Sequence, residues 1–365
     1  MSIVDLNKPY ILKRSNVCVK NRIVLAAMTN KQSNKDGTLS DDEIKWLVRR
    51  AIGGFGIITT AAAHVSKDGQ GWEGELGLFD DNHLNKLREL TKLIHGNKSI
   101  IFAQLFHGGM RSPQNLTGVQ PLSASKIKTS YSFDGFARRA SKDDIKKIIN
   151  NFKSAAVRCV KAGFDGIEIH GAHGYLISQF LGSKTNTRRD EWGGDIKNRS
   201  KFLIEIYHAI KENVPDNFIV GIRISPEIEE IGIRLQDSLY LAGVLSEQSI
   251  DFLHLSCWDI YSNSIEYNED SKTLTQWFTR TISNLPDIIS TGNIWSTSDA
   301  TNTIKQGASF IGVARAAIAY PDWALNLSDK RYNPSRGPFT VEHLKNADLN
   351  KTFIDYMKKW KNFVV

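Results

Sequence analysis

Three residues in one short stretch could do chemistry together: His170, His173 and Tyr175, in the run His170-Gly171-Ala172-His173-Gly174-Tyr175. Two imidazoles this close can ligate a metal, or can donate hydrogen bonds to an oxygen that gains negative charge. Two satisfied structural imidazoles are the third reading. A catalytic zinc site wants three protein ligands, and no third stands at a comparable position. A tyrosine phenol, with an ordinary pKa of about 10, keeps its proton at neutral pH. It suits protonation of a carbanion or enolate and suits acyl transfer badly; the plainer reading is a buried ring with a bonded hydroxyl. Arg223 sits inside the apolar run 219–225. A charge there must be paired or meet an anion: the electron-rich form of a reduced cofactor, or a structural partner. Gly292-Asn293 and Gly312-Val313-Ala314-Arg315 combine small residues with a positive charge. That pattern lets backbone amides approach a phosphate, and it also describes two ordinary tight turns.

Such groups need a scaffold that holds them on one face. Near-continuous apolar runs at 23–28, 56–62, 99–106, 166–170, 219–225, 252–256, 288–292 and 310–314 read as parallel strands covered on both sides. Amphipathic stretches lie between them. Ser40 precedes Asp41-Asp42-Glu43, an N-cap with a capping-box acid three residues on, and Ser141 precedes a helix ending at Ala162 before Gly163. Further helices are expected over 199–213, 236–248, 274–283 and 296–306. Eight strand–helix units over this length favour a closed (β/α)8 TIM barrel, an α/β fold, over an open sheet. The whole chain, 1–365, is expected to be a single barrel domain. Its first residues should cap the barrel bottom, and a long capping segment, 107–140, should follow strand 3 over the mouth. In a barrel the catalytic groups follow the strand ends. Those ends hold Ala27-Met28-Thr29, Ala62, Gln104, His170 to Tyr175, Arg223, Gly292-Asn293 and Ala314-Arg315.

Composition excludes several classes. The chain has 365 residues, 41% apolar and 24% charged, so it can form a sizeable core. Cys18, Cys159 and Cys257 are far apart, which argues against disulfides, a four-cysteine zinc site and an iron–sulfur cluster. The net charge of +8 is spread in pairs such as Arg188-Arg189, with no long basic block; a nucleic-acid partner is not expected. No signal peptide or membrane span is evident, so a cytoplasmic location without membrane contact is the expectation.

The chain resembles the Old Yellow Enzyme family of FMN-dependent ene-reductases, also called NADH:flavin oxidoreductases. The resemblance runs from about residue 7 to 322. It is carried by "GFDGIEIHGAHGYLISQFLGSKTNTRRDEWGGDIKNRSKFL" at 163–203, "NRIVLAAMTN" at 21–30, "FAQLFHGG" at 102–109, and "GNIW" to "GVARAAIAYPDW" between 292 and 323. It implies one non-covalent FMN at the mouth and NADH or NADPH as reductant. Ala27, Met28 and Thr29 would lie along the flavin, with Thr29 at its O4 edge, and Ala62 would let the pyrimidine end approach. Gln104 and Arg223 would bind that end; Gly292, Asn293, Ala314 and Arg315 would bind the phosphate. His170 and His173 would hold the carbonyl oxygen of an enone, nitro compound or quinone, and Tyr175 would be the proton donor. No metal is implied, and a homo-oligomer is compatible. Ala27 and Ala314 depart from the proline and glycine usual there. A dihydrouridine-synthase-like RNA-modifying flavoenzyme is the alternative; it would need a cysteine acid at the mouth.

Overall fold

The structure is a computed structural model and describes residues 6–365. Its centre is eight parallel strands: β1 (Ile23–Leu25), β2 (Ile57–His64), β3 (Ile100–Phe106), β4 (Gly166–Gly171), β5 (Ile219–Ile224), β6 (Phe252–Ser256), β7 (Asp287–Thr291) and β8 (Phe310–Val313). Each pairs with its neighbours in chain order, and β8 pairs with β1, so the sheet closes. The crossover helices are α1 (Asp41–Ile52), α2 (Leu84–Gly96), α3 (Lys142–Lys161), α4 (Ile196–Lys211), α5 (Leu235–Glu247), α6 (Leu274–Thr281), α7 (Thr297–Lys305) and α8 (Arg315–Ala319). The protein is a (β/α)8 TIM barrel.

Every strand residue is buried or nearly so, yet the two faces differ. Side chains alternate along a strand. In β6, Leu253 and Leu255 join the large core beneath the helices, while Phe252 belongs to a second cluster inside the barrel. Val24, Ile57, Phe102, Ile219, Ile289 and Phe310 complete that inner floor, and Phe102 stacks on Phe252 with ring centroids 5.2 Å apart. The next layer up on β3, β4, β6 and β7 is polar: Gln104, Glu168, His254 and Thr291 are all buried there.

Gly221 faces this floor. A Cβ there would lie 2.1 Å from the Phe252 ring. Gly221→Ala is therefore expected to lower stability by about 1–3 kcal/mol or more through overpacking. A thermal midpoint equal to the parent's would show that Phe252 can turn aside.

The first described residues do cap the bottom. Strands Tyr10–Ile11 and Cys18–Val19 form an antiparallel pair, and Leu12 and Val19 plug the floor cluster. The segment after β3 holds three short strands, Leu122–Ser123, Ile127–Lys128 and Phe136–Arg139. Local signals mostly held. Ser141 and Asp144 form a reciprocal capping box on α3, and Gly163 follows with φ of 82°. Ser40 caps α1, but Glu43 does not reach back. It turns inward instead, to Asn30 at 2.9 Å and to Ser33, and ties the loop after β1 to α1. Helix α2 was not among the expected helices. Its start is made by Asp80 and a 3-10 turn at Asp81–His83 rather than by a serine cap.

Candidate functional site

The mouth is assembled from strand ends. In the barrel register Arg223 lies beside His170 on one side and His254 on the other. A rung of hydrogen bonds supports them. Gln104 Nε2 donates to Glu168 Oε1 at 2.6 Å, His254 Nδ1 lies 2.5 Å from Glu168 Oε2, and His254 Nε2 lies 2.6 Å from Thr291 Oγ1. Burial pushes the Glu168 carboxyl up, but His254, Arg223 and Gln104 outweigh it and hold Glu168 below its ordinary value. An ionised carboxylate only accepts. His254 Nδ1 therefore carries the proton, and Nε2 accepts from Thr291. Burial keeps His254 itself neutral, against the pull of Glu168. With its amide nitrogen committed to Glu168, Gln104 keeps its carbonyl oxygen for another donor.

Arg223 is 4% exposed. Nη1 donates to the Ala27 carbonyl at 3.2 Å and Nη2 to Ser256 Oγ at 3.1 Å, while Nε has no hydrogen-bond partner. Burial pushes its pKa down and Glu168 pulls it up. A buried guanidinium with an idle N–H is half-satisfied, and unmade bonds of charged donors are costly. This is the feature an electron-rich ring edge would complete. Ala27 and Ala62 are both buried, small and at the mouth, and Ala62 pairs with Gln104 just past an irregularity in β2. Met28 and Thr29 are half-buried beside them.

The phosphate-type turns also meet. Arg315 Nη2 donates to Asn293 Oδ1 at 3.2 Å, and Asn293 Nδ2 donates to Asp259 at 2.9 Å. Asn293 has φ of 52°. A Cβ on Gly292 would lie 2.8 Å from the Asp259 nitrogen, and one on Gly312 only 1.7 Å from Thr291 Oγ1. Both glycines are thus required by close approach. Helix α8 begins at Arg315 and has five residues, so Arg315 rather than a helix dipole supplies most of the positive potential beside Ala314.

His170 and His173 face each other with ring centroids 5.1 Å apart and planes at 85°. His170 Nδ1 accepts the Ala172 N–H at 3.2 Å, which leaves the proton on Nε2. Burial lowers both imidazoles well below 6.5, reinforced for His170 by His173 and for both by Arg223. They are neutral donors. Among the described residues no three His, Cys, Asp or Glu side chains are grouped to hold a metal. Tyr175 packs edge-on against His170 at 5.1 Å and Phe106 at 4.5 Å. Burial pushes its hydroxyl up to about 12, so it holds a proton firmly at neutral pH.

Other site residues had weaker signals. Arg111 lies in the capping segment; its guanidinium covers the Tyr175 ring at 4.5 Å and donates to the His173 carbonyl at 2.8 Å. Trp72 flanks Tyr175 at 6.3 Å. Tyr356, on α9 (Lys351–Met357), reaches the mouth from the far end of the chain: burial raises its pKa, and Trp360 and Thr29 beside its hydroxyl oppose that rise. Arg336 sits close enough to Arg315 to add to the effect of burial in lowering its pKa. Glu168 was legible in principle, since a carboxylate inside Gly-Ile-Glu-Ile-His poses the same buried-charge question as Arg223. Cys257 does not face the mouth as an acid: it is 3% exposed, and burial pushes its thiol up to about 11.

Known proteins resemble this chain in sequence and in fold. Residues 5–333 match the model of the NADH:flavin oxidoreductase / NADH oxidase family. A Bacillus subtilis protein named "Probable NADH-dependent flavin oxidoreductase" is 32% identical over 89% of this chain and 88% of its own length. An NADH oxidase of Thermoanaerobacter brockii is 34% identical over 88% of this chain, which spans half the length of that relative. The structure of an Old Yellow Enzyme homologue from Zymomonas mobilis superposes with a TM-score of 0.80 at 26% identity, covering 93% of this chain and 96% of that one. The chain belongs to the NADH:flavin oxidoreductase / NADH oxidase family, that of Old Yellow Enzyme, and is an FMN-dependent oxidoreductase.

Proposed function

We propose that the protein is an ene-reductase that takes reducing equivalents from NADH or NADPH and passes them to the carbon–carbon double bond of an α,β-unsaturated carbonyl or nitro compound. The observation that carries this reading is the trio His170, His173 and Tyr175: two neutral N–H donors beside a phenol that keeps its proton. Bound FMN would supply hydride transfer between the nicotinamide and the acceptor.

The residues present fit that cofactor. The idle Nε–H of Arg223 suits the pyrimidine edge, where reduction places negative charge, and the Gln104 carbonyl oxygen suits an imide N–H. Ala27, Met28 and Thr29 would line one side and Ala62 the pyrimidine end. Gly292, Asn293, Ala314 and Arg315 would take the phosphate. On the substrate side, His170 and His173 polarise the carbonyl or nitro oxygen. Tyr175 then delivers its proton to the α-carbon. Neutral imidazoles serve this well, because donor strength stays constant wherever both remain unprotonated. One mouth serves both half-reactions, so ping-pong kinetics are expected. The chain 1–365 is read as one functional unit, acting on small molecules in the cytoplasm.

A phenol titration tests the reading. Phenolate mimics the polarised oxygen and should stack over the flavin of the purified yellow holoenzyme, giving a long-wavelength charge-transfer band. The double variant His170→Ala with His173→Ala is expected to lose that band at phenol concentrations that saturate the parent. A band of undiminished strength in the variant places the oxyanion site elsewhere.

A further inference from the structure

We propose that Ser256 is a positioning residue that sets the tautomer of His173, so that His173 offers Nδ1–H to the substrate oxygen. The proposal rests on the reading of His170 and His173 as oxyanion donors and assigns a role to a residue at the end of β6 that the sequence did not single out.

Ser256 is buried between two functional groups. Its Oγ is 3.1 Å from Arg223 Nη2 and 2.7 Å from His173 Nε2. A guanidinium has donors and no acceptor, so Arg223 must donate to Ser256. The hydroxyl keeps one proton of its own, and the nearest acceptor recorded for it is His173 Nε2. A neutral imidazole has one N–H and one bare nitrogen. With Nε2 accepting, the proton is on Nδ1. The opposite tautomer would set a second donor against the same oxygen and leave the serine proton without its partner.

The backbone is arranged to keep this contact. His173 has φ of 62°, the left-handed region that costs a non-glycine residue energy. Its N–H donates to Ser225 Oγ at 3.1 Å, and Arg111 holds its carbonyl at 2.8 Å. Strain held in place by three separate elements is the pattern expected where ring orientation matters. The two histidines then present opposite nitrogens, Nε2 of His170 and Nδ1 of His173, each chosen by a hydrogen bond at the other ring position. Donation chains of this kind also polarise: Arg223 draws on Ser256, Ser256 on His173, and the Nδ1–H becomes a better donor. Arg223 thereby links the flavin edge to the substrate oxygen through one hydroxyl.

The test uses holoenzyme labelled with 15N-histidine, with His173 assigned by comparison with the His173→Ala spectrum. The parent and Ser256→Thr should show the proton on Nδ1, and Ser256→Ala should move it to Nε2. In parallel, phenol titration should give a dissociation constant about tenfold higher for Ser256→Ala, the loss of about one hydrogen bond, and a near-parental value for Ser256→Thr. A parent enzyme with its His173 proton on Nε2 overturns the proposal, even if Ser256→Ala fails to fold. So does a Ser256→Ala enzyme that binds phenol as tightly as the parent. If His173→Ala itself binds phenol normally, the oxyanion reading fails and the proposal with it; if His173→Ala loses binding while Ser256→Ala does not, only the role of Ser256 fails.

Discussion

Tyr175→Phe is expected to slow reduction of an enone by about 10²–10⁴-fold, the usual contribution of a positioned general acid, while NADH bleaches the flavin at nearly the parental rate. The substitution removes one hydroxyl and keeps the ring that packs against Phe106 and His170. Fold and cofactor binding should therefore survive. The phenol is well suited to the role. Burial holds its pKa near 12, against the opposing pull of Arg111, so every molecule enters the cycle protonated. A carbanion-like α-carbon is basic enough to take that proton, whereas the nicotinamide half-reaction asks no proton of Tyr175. Stopped-flow traces of the two half-reactions, run separately without oxygen, measure this. Equal slowing of both would mean that Tyr175 only shapes the site.

The second large effect is acid lability. Five histidines, His64, His107, His170, His173 and His254, are buried with pKa values lowered first by desolvation, His64 to about 3 and His107 to about 4. Each is neutral when folded and takes a proton when unfolded below about pH 6.5. Stability from these groups is complete above pH 6.5 and is lost as pH falls below it. Two buried carboxyls act in the opposite sense. Burial raises Glu43 and Glu75, so they hold protons in the folded chain that the unfolded chain has released. They offset part of the histidine contribution. His64 and His107, with folded values of about 3 and about 4, by themselves take up nearly two protons on unfolding near pH 5, a slope of about 2.5 kcal/mol per pH unit. Against a typical total stability of about 5–15 kcal/mol, a slope of that size over a few pH units is a large fraction of the whole. Denaturant midpoints measured from pH 7.5 to 5 should fall steeply, and His64→Gln should flatten the slope by about one proton. A midpoint unchanged over that range would mean that these imidazoles are hydrated in the folded protein.

Much of the barrel could be read in advance because its signals are local. Apolar runs of strand length, the Ser141 cap and Gly163 each depend on neighbours a few residues away. Two crossover helices escaped: α2 starts from Asp80 and a 3-10 turn, a weaker pattern than a serine cap, and α8 is only five residues long. Glu43 shows the limit of the same logic: its spacing from Ser40 suits a capping box, but Asn30 and Ser33 offer a buried site that wins.

The sequence by itself determined the residue types and their places along the strands. His170, His173, Tyr175 and Arg223 were visible because a strand-end cluster and a charge inside an apolar run both need explaining. Gly292, Asn293, Ala314 and Arg315 were visible as a phosphate pattern. Only the tertiary structure decided which partners those groups have. The rung from Gln104 through Glu168 and His254 to Thr291 joins four strands, and the Arg223–Ser256–His173 chain joins β5, β6 and the turn after β4. Those contacts depend on the stagger of a closed barrel, which sets residues tens of positions apart at the same height. Tyr356 is the extreme case, brought to Thr29 from more than three hundred residues away. Side-chain chemistry is a property of the residue. Protonation state, tautomer and donor direction are properties of the surroundings, and closure of the barrel creates those surroundings.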